Sequence, residues 1–176
     1  AKKNGFIPTK NFSLAKYLDV IIICVPTPLT KTKQPNLTYV LNTMKSISNY
    51  LRPGQIISLE STTYPGTTKE ILLPIIEKKK LNIGKNFFLS FSPERLDPGI
   101  KSVNVSDIPK ITGGITKNCS LISSKIYKKI HKKVLVVSNS ETAELVKLLE
   151  NIYRAVNIGM INELKILTDK LNLNIY

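Results

Sequence analysis

The chain has 176 residues, 42% of them hydrophobic and 22% charged, a balance that suits one soluble domain or one domain and part of another. Its longest apolar run, Val20 to Pro28, is strand-length, well short of the roughly 20 residues of a membrane helix, and no long apolar segment follows the N-terminal lysines, so neither a membrane span nor a signal peptide is expected. The formal charge of +14 comes from scattered lysines, with arginine only at Arg52, Arg95 and Arg154. That pattern argues against a nucleic-acid reader, which leans on arginine forks and grooved aromatics, and leaves a mild attraction for anionic substrates. A bias toward Lys, Ile and Asn accounts for most of the charge.

In chain order, Val20 to Val25 reads as a strand buried on both faces. Asn36 to Tyr50 carries Leu37, Val40, Leu41, Met44 and Ile47 at helical spacing. A turn at Arg52-Pro53-Gly54 precedes an apolar strand at Gln55 to Leu59. Pro65 suits the first turn of a helix running to about Lys79. Asn86 to Phe91 is a third strand. A loop rich in Pro, Gly and Asp follows from Ser92 to Pro109, then a short strand end at Lys110 to Gly113. Asn118 to Ile130 is helical and Lys133 to Val137 is a further strand. From about Ser140 to Leu171 the helical pattern barely breaks, with Ser138-x-x-Glu141 resembling a capping box at its start. A helix this long suggests a spacer or a dimer element.

Strands alternating with helices imply an α/β fold, a parallel sheet covered by helices on both faces, with ligands beyond the carboxyl ends of the strands. No G-x-G-x-x-G fingerprint is present; Gly113-Gly114 has neither the spacing nor the first-strand context. The two cysteines, Cys24 and Cys119, form no disulfide framework and no metal-ligand spacing, so no metal is expected, and both suit a reducing cytoplasm. Cys24, inside an apolar run, reads as a small core residue. His131, among lysines, reads as a solvated surface residue.

Four segments carry more. They are Cys24-Val25-Pro26-Thr27-Pro28, Glu60 to Thr68, Ser92-Pro93-Glu94-Arg95-Leu96-Asp97-Pro98-Gly99, and the helix with Ala143-Glu144-x-x-Lys147-x-x-x-Asn151 followed by Asn162-Glu163. In this order they resemble the UDP-glucose/GDP-mannose dehydrogenase family over nearly the whole chain. The resemblance implies an NAD-dependent enzyme that oxidises the C6 alcohol of a nucleotide sugar to the uronic acid in polysaccharide precursor synthesis. It implies a partial Rossmann-like NAD-binding domain over 1–138 and the start of a central helical domain over 139–176, pairing as a homodimer through the long helix. It also implies that the family's glycine-rich turn lies before Ala1 and its cysteine loop after Tyr176, so that this chain cannot turn over alone. The UDP-glucose branch usually has a second glutamate four residues after the first, where this chain has Pro98. The loop is more similar to the branch acting on UDP-N-acetylhexosamines, UDP-N-acetylglucosamine foremost, with UDP-N-acetylmannosamine and UDP-glucose as alternatives.

By the same resemblance Lys147, Asn151 and Glu94 are catalytic, Arg95, Leu96 and Arg154 bind substrate, and Thr27 and Thr62 contact the NAD. Positions 147, 151 and 154 share one helix face, and an ammonium with an amide suits a developing alkoxide. Without the resemblance, that face reads as a solvated polar stripe, Glu94 as a surface carboxylate paired with Arg95, Thr62 as a helix cap and Thr27 as part of a rigid turn. Two other function classes compete: a non-catalytic basic α/β module binding nucleotides or RNA, and a β-hydroxyacid-type dehydrogenase. The second shares the long helix with Lys-x-x-x-Asn but does not usually carry the Ser-Pro-Glu-Arg loop.

Overall fold

The computed structural model describes residues 5–95 and 104–174. Five strands form one sheet in the order in which they occur along the chain: β1 (Val20–Ile23), β2 (Ile56–Leu59), β3 (Phe88–Phe91), β4 (Lys110–Gly114) and β5 (Val134–Val136). Helices α1 (Thr38–Ser48), α2 (Leu73–Glu77), α3 (Lys117–Tyr127) and α4 (Ser140–Lys170) surround it.

The core forms because apolar residues recur at the period of each element. Val40, Met44 and Ile47 of α1 pack in one cluster with Ile57 and Leu59 of β2, Leu89 and Phe91 of β3, and Ile76 of α2. Side chains alternate across a strand, so Ser58 faces the other way, and its hydroxyl meets Tyr127 of α3 at 2.8 Å. The sheet is thus covered on both faces. Every residue of β2 is buried, as a central strand requires.

Three expectations need correction. The first strand is not buried on both faces: β1 is an edge strand, with Val20 37% and Ile22 42% exposed. Its apolar composition does not reveal which neighbours it has. The sheet is also not wholly parallel. β3 and β4 run antiparallel, pairing Ser90 with Gly114 and Phe91 with Gly113, while the other pairs are parallel. A parallel pair needs a long crossover, and between β3 and β4 the described residues hold only the short turn Val105–Asp107. Finally, the helix expected from Pro65 starts instead at Thr67, behind Gly66 at φ 98°, as a π-helical turn over Thr67–Leu72. It tightens to α2 with Pro74 in its first turn, where a residue without an N–H is tolerated.

The long helix forms as expected, with 31 residues, but Ser138 does not cap it. Asn139 is the N-cap, its side chain accepting from the Thr142 N–H at 2.8 Å. Glu141 turns away to Lys69, 3.0 Å across. The pair Gly113-Gly114 has a packing reason. A Cβ on Gly113 would lie 2.0 Å from the Asn139 carbonyl oxygen, and one on Gly114 2.4 Å from the Ser120 nitrogen. The glycines let β4 touch the starts of α4 and α3.

Candidate active site

The loops that follow β1, β2 and β3 converge at the carboxyl ends of these parallel strands, where ligands of such sheets bind. Side chains stitch the first two loops together. Ser61 accepts from the Val25 N–H at 2.9 Å and donates to the Val25 carbonyl at 2.7 Å. Thr27 donates its hydroxyl proton to the Thr62 carbonyl at 2.7 Å. These bonds hold open a cleft of about 370 Å³ lined by Cys24, Val25, Pro26, Thr27, Glu60, Ser61, Thr62 and Glu94. Small side chains and backbone dominate its walls, which leaves room for a flat ring.

A second cleft of about 440 Å³ lies against α4, lined by Arg95, Lys147, Glu150, Tyr153, Arg154, Asn157 and Ile158. Glu94 and Arg95, consecutive in the chain, therefore line two different clefts. Lys147 sits at their junction, its ammonium donating to the Glu94 carbonyl at 2.5 Å. The Glu94 carboxylate is 57% exposed, accepts from the Arg95 backbone N–H at 2.7 Å, and lies 3.9 Å from the Lys110 ammonium. The guanidinium of Arg95 does not pair with Glu94. It meets Glu150 at 2.7 Å and donates to the Pro109 carbonyl at 3.0 Å.

Of the sequence-derived candidates, the structure brings Thr27, Thr62 and Glu94 into one cleft and Arg95, Lys147 and Arg154 into the other. Asn151, one turn beyond Lys147 on α4, is half-buried and lines neither. Leu96 lies outside the described residues.

Behind the site stands a charged network to which the motifs assigned no role. The Glu60 carboxylate accepts from the Lys110 ammonium at 2.9 Å and from the Tyr127 hydroxyl at 2.5 Å. The Lys110 ammonium also lies 5.1 Å from the centroid of the Tyr127 ring. The side chains of Glu60 and Lys110 are only 9% and 6% exposed, so each charge stands on the other and on these hydrogen bonds. The sequence signal was a glutamate ending one apolar strand and a lysine opening another, but spacing alone does not pair them.

A second carboxylate, Glu144, has no exposed surface. It accepts from the Gly66 N–H at 2.6 Å, the Thr68 N–H at 2.8 Å and the Thr68 hydroxyl at 2.6 Å. Burial pushes this carboxyl up, against the pull of the bonds from Thr68 and Gly66. The contact fixes the start of α4 on the turn that follows the Thr62 loop.

Cys24 is exposed and faces the first cleft, so it is not the core residue its sequence neighbours suggest. Its thiol is pushed up by burial first and by Glu60 second. Cys119 is buried, its sulfur accepting from the Leu89 N–H at 3.4 Å. His131 is half-buried rather than solvated, its Nδ1 3.1 Å from the Ile108 carbonyl oxygen. Among the described residues no three His, Cys, Asp or Glu side chains gather as a metal site, and no helix is long and apolar enough to cross a membrane.

Comparison with known proteins places this geometry. Residues 3–131 match the NAD binding domain of the UDP-glucose/GDP-mannose dehydrogenase family, and residues 141–176 match its central domain. The UDP-N-acetyl-D-glucosamine 6-dehydrogenase of Pseudomonas aeruginosa is 37% identical over 172 residues, which cover 94% of this chain and 40% of that protein. The UDP-N-acetyl-D-mannosamine dehydrogenase of Methanococcus maripaludis is 35% identical over 179 residues, covering 98% of this chain and 40% of that protein. Among solved structures, the UDP-D-ManNAc dehydrogenase of Pyrococcus horikoshii superimposes with a TM-score of 0.89 at 31% identity, over 96% of this chain and 40% of the other. The chain thus spans about 40% of the length of the curated relatives it matches.

Proposed function

Because the chain belongs to the UDP-glucose/GDP-mannose dehydrogenase family, we propose that it forms part of an NAD-dependent enzyme oxidising the C6 alcohol of a UDP-N-acetylhexosamine to the uronic acid. UDP-N-acetylglucosamine is the first candidate substrate and UDP-N-acetylmannosamine the second. The division we propose is an NAD-binding part over 1–138 and the start of the central helical domain over 139–176. The observation that carries the proposal is the Lys147 ammonium on the Glu94 carbonyl, at the junction of the two clefts.

In this proposal the nicotinamide occupies the cleft of Thr27 and Thr62, whose small lining fits a flat ring, and there NAD supplies the hydride acceptor. Thr27 has committed its proton to Thr62, so its oxygen is left to accept from an amide N–H. The sugar and the diphosphate lie along the cleft of α4. Lys147 would face the C6 oxygen and stabilise the negative charge that develops as the alcohol's proton passes to water in the cleft and, over two successive oxidations, each hydride passes to an NAD. Asn151 would support it one turn on. The exposed Glu94 carboxylate takes the proton of the water that completes the oxidation. Arg154 holds substrate oxygens or phosphate, while Arg95 and Leu96 line the sugar site, partly through their backbone. Neither Cys24 nor Cys119 is carried over as the nucleophile, since neither sits in a glycine-rich motif, and Cys119 is buried. We further propose that two copies pair along α4. Its exposed apolar residues Leu149, Ile152, Val156, Met160, Leu164 and Leu167 fall on one side at about 100° per residue, opposite Lys147.

The test is NADH formation by the full-length protein with UDP-N-acetylglucosamine, UDP-N-acetylmannosamine and UDP-glucose in turn. An N-acetylhexosamine should give the highest kcat/KM. Lys147→Ala should lower kcat by about a hundredfold or more while the melting temperature stays near that of the wild type. Near-normal turnover in that variant would remove Lys147 from the chemistry.

A further inference from the structure

Glu150 lies one turn beyond Lys147 on α4, and its carboxylate holds the Arg95 guanidinium at 2.7 Å, with both side chains about one-third exposed or less. Through its other terminal nitrogen Arg95 reaches the Pro109 carbonyl, just before β4. One guanidinium therefore joins the end of β3, the approach to β4 and the long helix. The planar fork of arginine fixes direction as well as distance. The neighbouring Glu94 is tied to the same helix through Lys147. Glu144, Lys147 and Glu150 stand at successive i, i+3 steps, on overlapping faces of α4. Each takes hold of a different stretch: the turn after the Thr62 loop, the Glu94 carbonyl, and Arg95.

We propose that Glu150 is a positioning residue: by fixing Arg95 it sets the Glu94 segment at its working distance from Lys147. This rests on the dehydrogenase proposal above. It divides the two arginines of the α4 cleft. The Arg95 guanidinium is engaged by the protein and presents its backbone to the sugar, and the substrate's anionic charge falls to Arg154.

The experiment compares Glu150→Gln and Glu150→Asp in the full-length protein. Glu150→Gln should lower kcat about tenfold or more, because a displacement of about an ångström between reacting groups is felt there, with KM for the UDP-sugar changed less than about twofold. Glu150→Asp keeps the charge and should recover most of the loss. Hydrogen exchange in the peptide containing Glu94 and Arg95 should quicken in Glu150→Gln, while exchange in α4 stays as in the wild type. An unchanged kcat in Glu150→Gln, or a loss confined to KM, overturns the proposal. If Glu150→Gln does not fold, Arg95→Lys, which removes the planar fork from the other partner, must show faster exchange in that peptide than the wild type, and equal exchange overturns the clamp. If the wild type forms NADH with none of the three UDP-sugars, the dehydrogenase proposal fails, whereas unchanged exchange at Glu94 and Arg95 in Glu150→Gln would by itself sink the clamp.

Discussion

Cys24 and Glu141 show how far a side chain's chemistry depends on partners distant in sequence. Burial and then Glu60 raise the Cys24 thiol, so it stays protonated at neutral pH although the cleft exposes it. Alkylation of Cys24, followed by peptide mass spectrometry, should therefore have its pH midpoint above that of an ordinary cysteine, near 8.5. Glu60→Gln should bring the midpoint down; a wild-type midpoint below that of a free thiol would contradict the arrangement. At Glu141 burial works to raise the carboxyl, but hydrogen bonds from its own backbone N–H, Lys69 and Ser140 outweigh it and hold the group below its ordinary value. A carboxyl depressed by folding binds fewer protons in the native state. Its contribution is present above the unfolded value of about 4.3 and is lost as pH falls through the folded one. Urea midpoints measured from about pH 6 down to about pH 3 should fall less steeply for Glu141→Gln than for the wild type. Glu144, raised by burial, works in the opposite sense, its contribution shrinking as pH rises, so the two must be tested by separate variants.

At the level of elements, the close contact of β4 with α3 and α4 is the tightest constraint. Gly114→Ala would drive a Cβ to 2.4 Å from the Ser120 nitrogen and 2.5 Å from the Cys119 Cβ. The unfolding free energy should fall by about 2 kcal/mol or more. Gly159, within α4, has open space where a Cβ would go, so Gly159→Ala should stabilise by about 0.5–1 kcal/mol through helix propensity. A calorimeter distinguishes the two, and equal effects would mean that β4 has room to shift. These elements also show what sequence alone can reveal. The strands were legible as short apolar runs bounded by turns, α1, α3 and α4 because their apolar residues recur at a period of 3.6, and the site loops because each follows a strand. The antiparallel direction of β4 was not, since a strand's composition is the same either way and only the path of the connection after β3 decides it. Nor was the capping by Asn139 rather than Ser138, a choice between adjacent residues able to make the same bond. The Glu60–Lys110–Tyr127 network escaped because its members lie on β2's end, β4 and α3, joined only by the folded sheet.

For the whole molecule, α4 carries two kinds of surface on opposite sides. Lys147 and Arg154 face the cleft, and the apolar row faces away. If that row is a dimer seam, the full-length protein should sediment as a dimer, and Leu149→Lys with Val156→Lys should shift it toward monomer. A wild-type monomer at micromolar concentration would remove the seam. Lys147, on the far side, should keep its hydrogen bond to the Glu94 carbonyl in either state.

The sheet's strand order has a consequence for how the chain is made. Because β1 to β5 lie side by side in the order of synthesis, each described strand after β1 joins a partner made before it, and no described strand is inserted between two others. Vectorial synthesis adds the strands in the order in which they pair. Among the described elements α4 follows the sheet, and its Glu144, Lys147 and Glu150 take hold of the loops after β2 and β3. The distances between these side chains and those loops are set only when that helix docks, so the nascent sheet alone does not hold them.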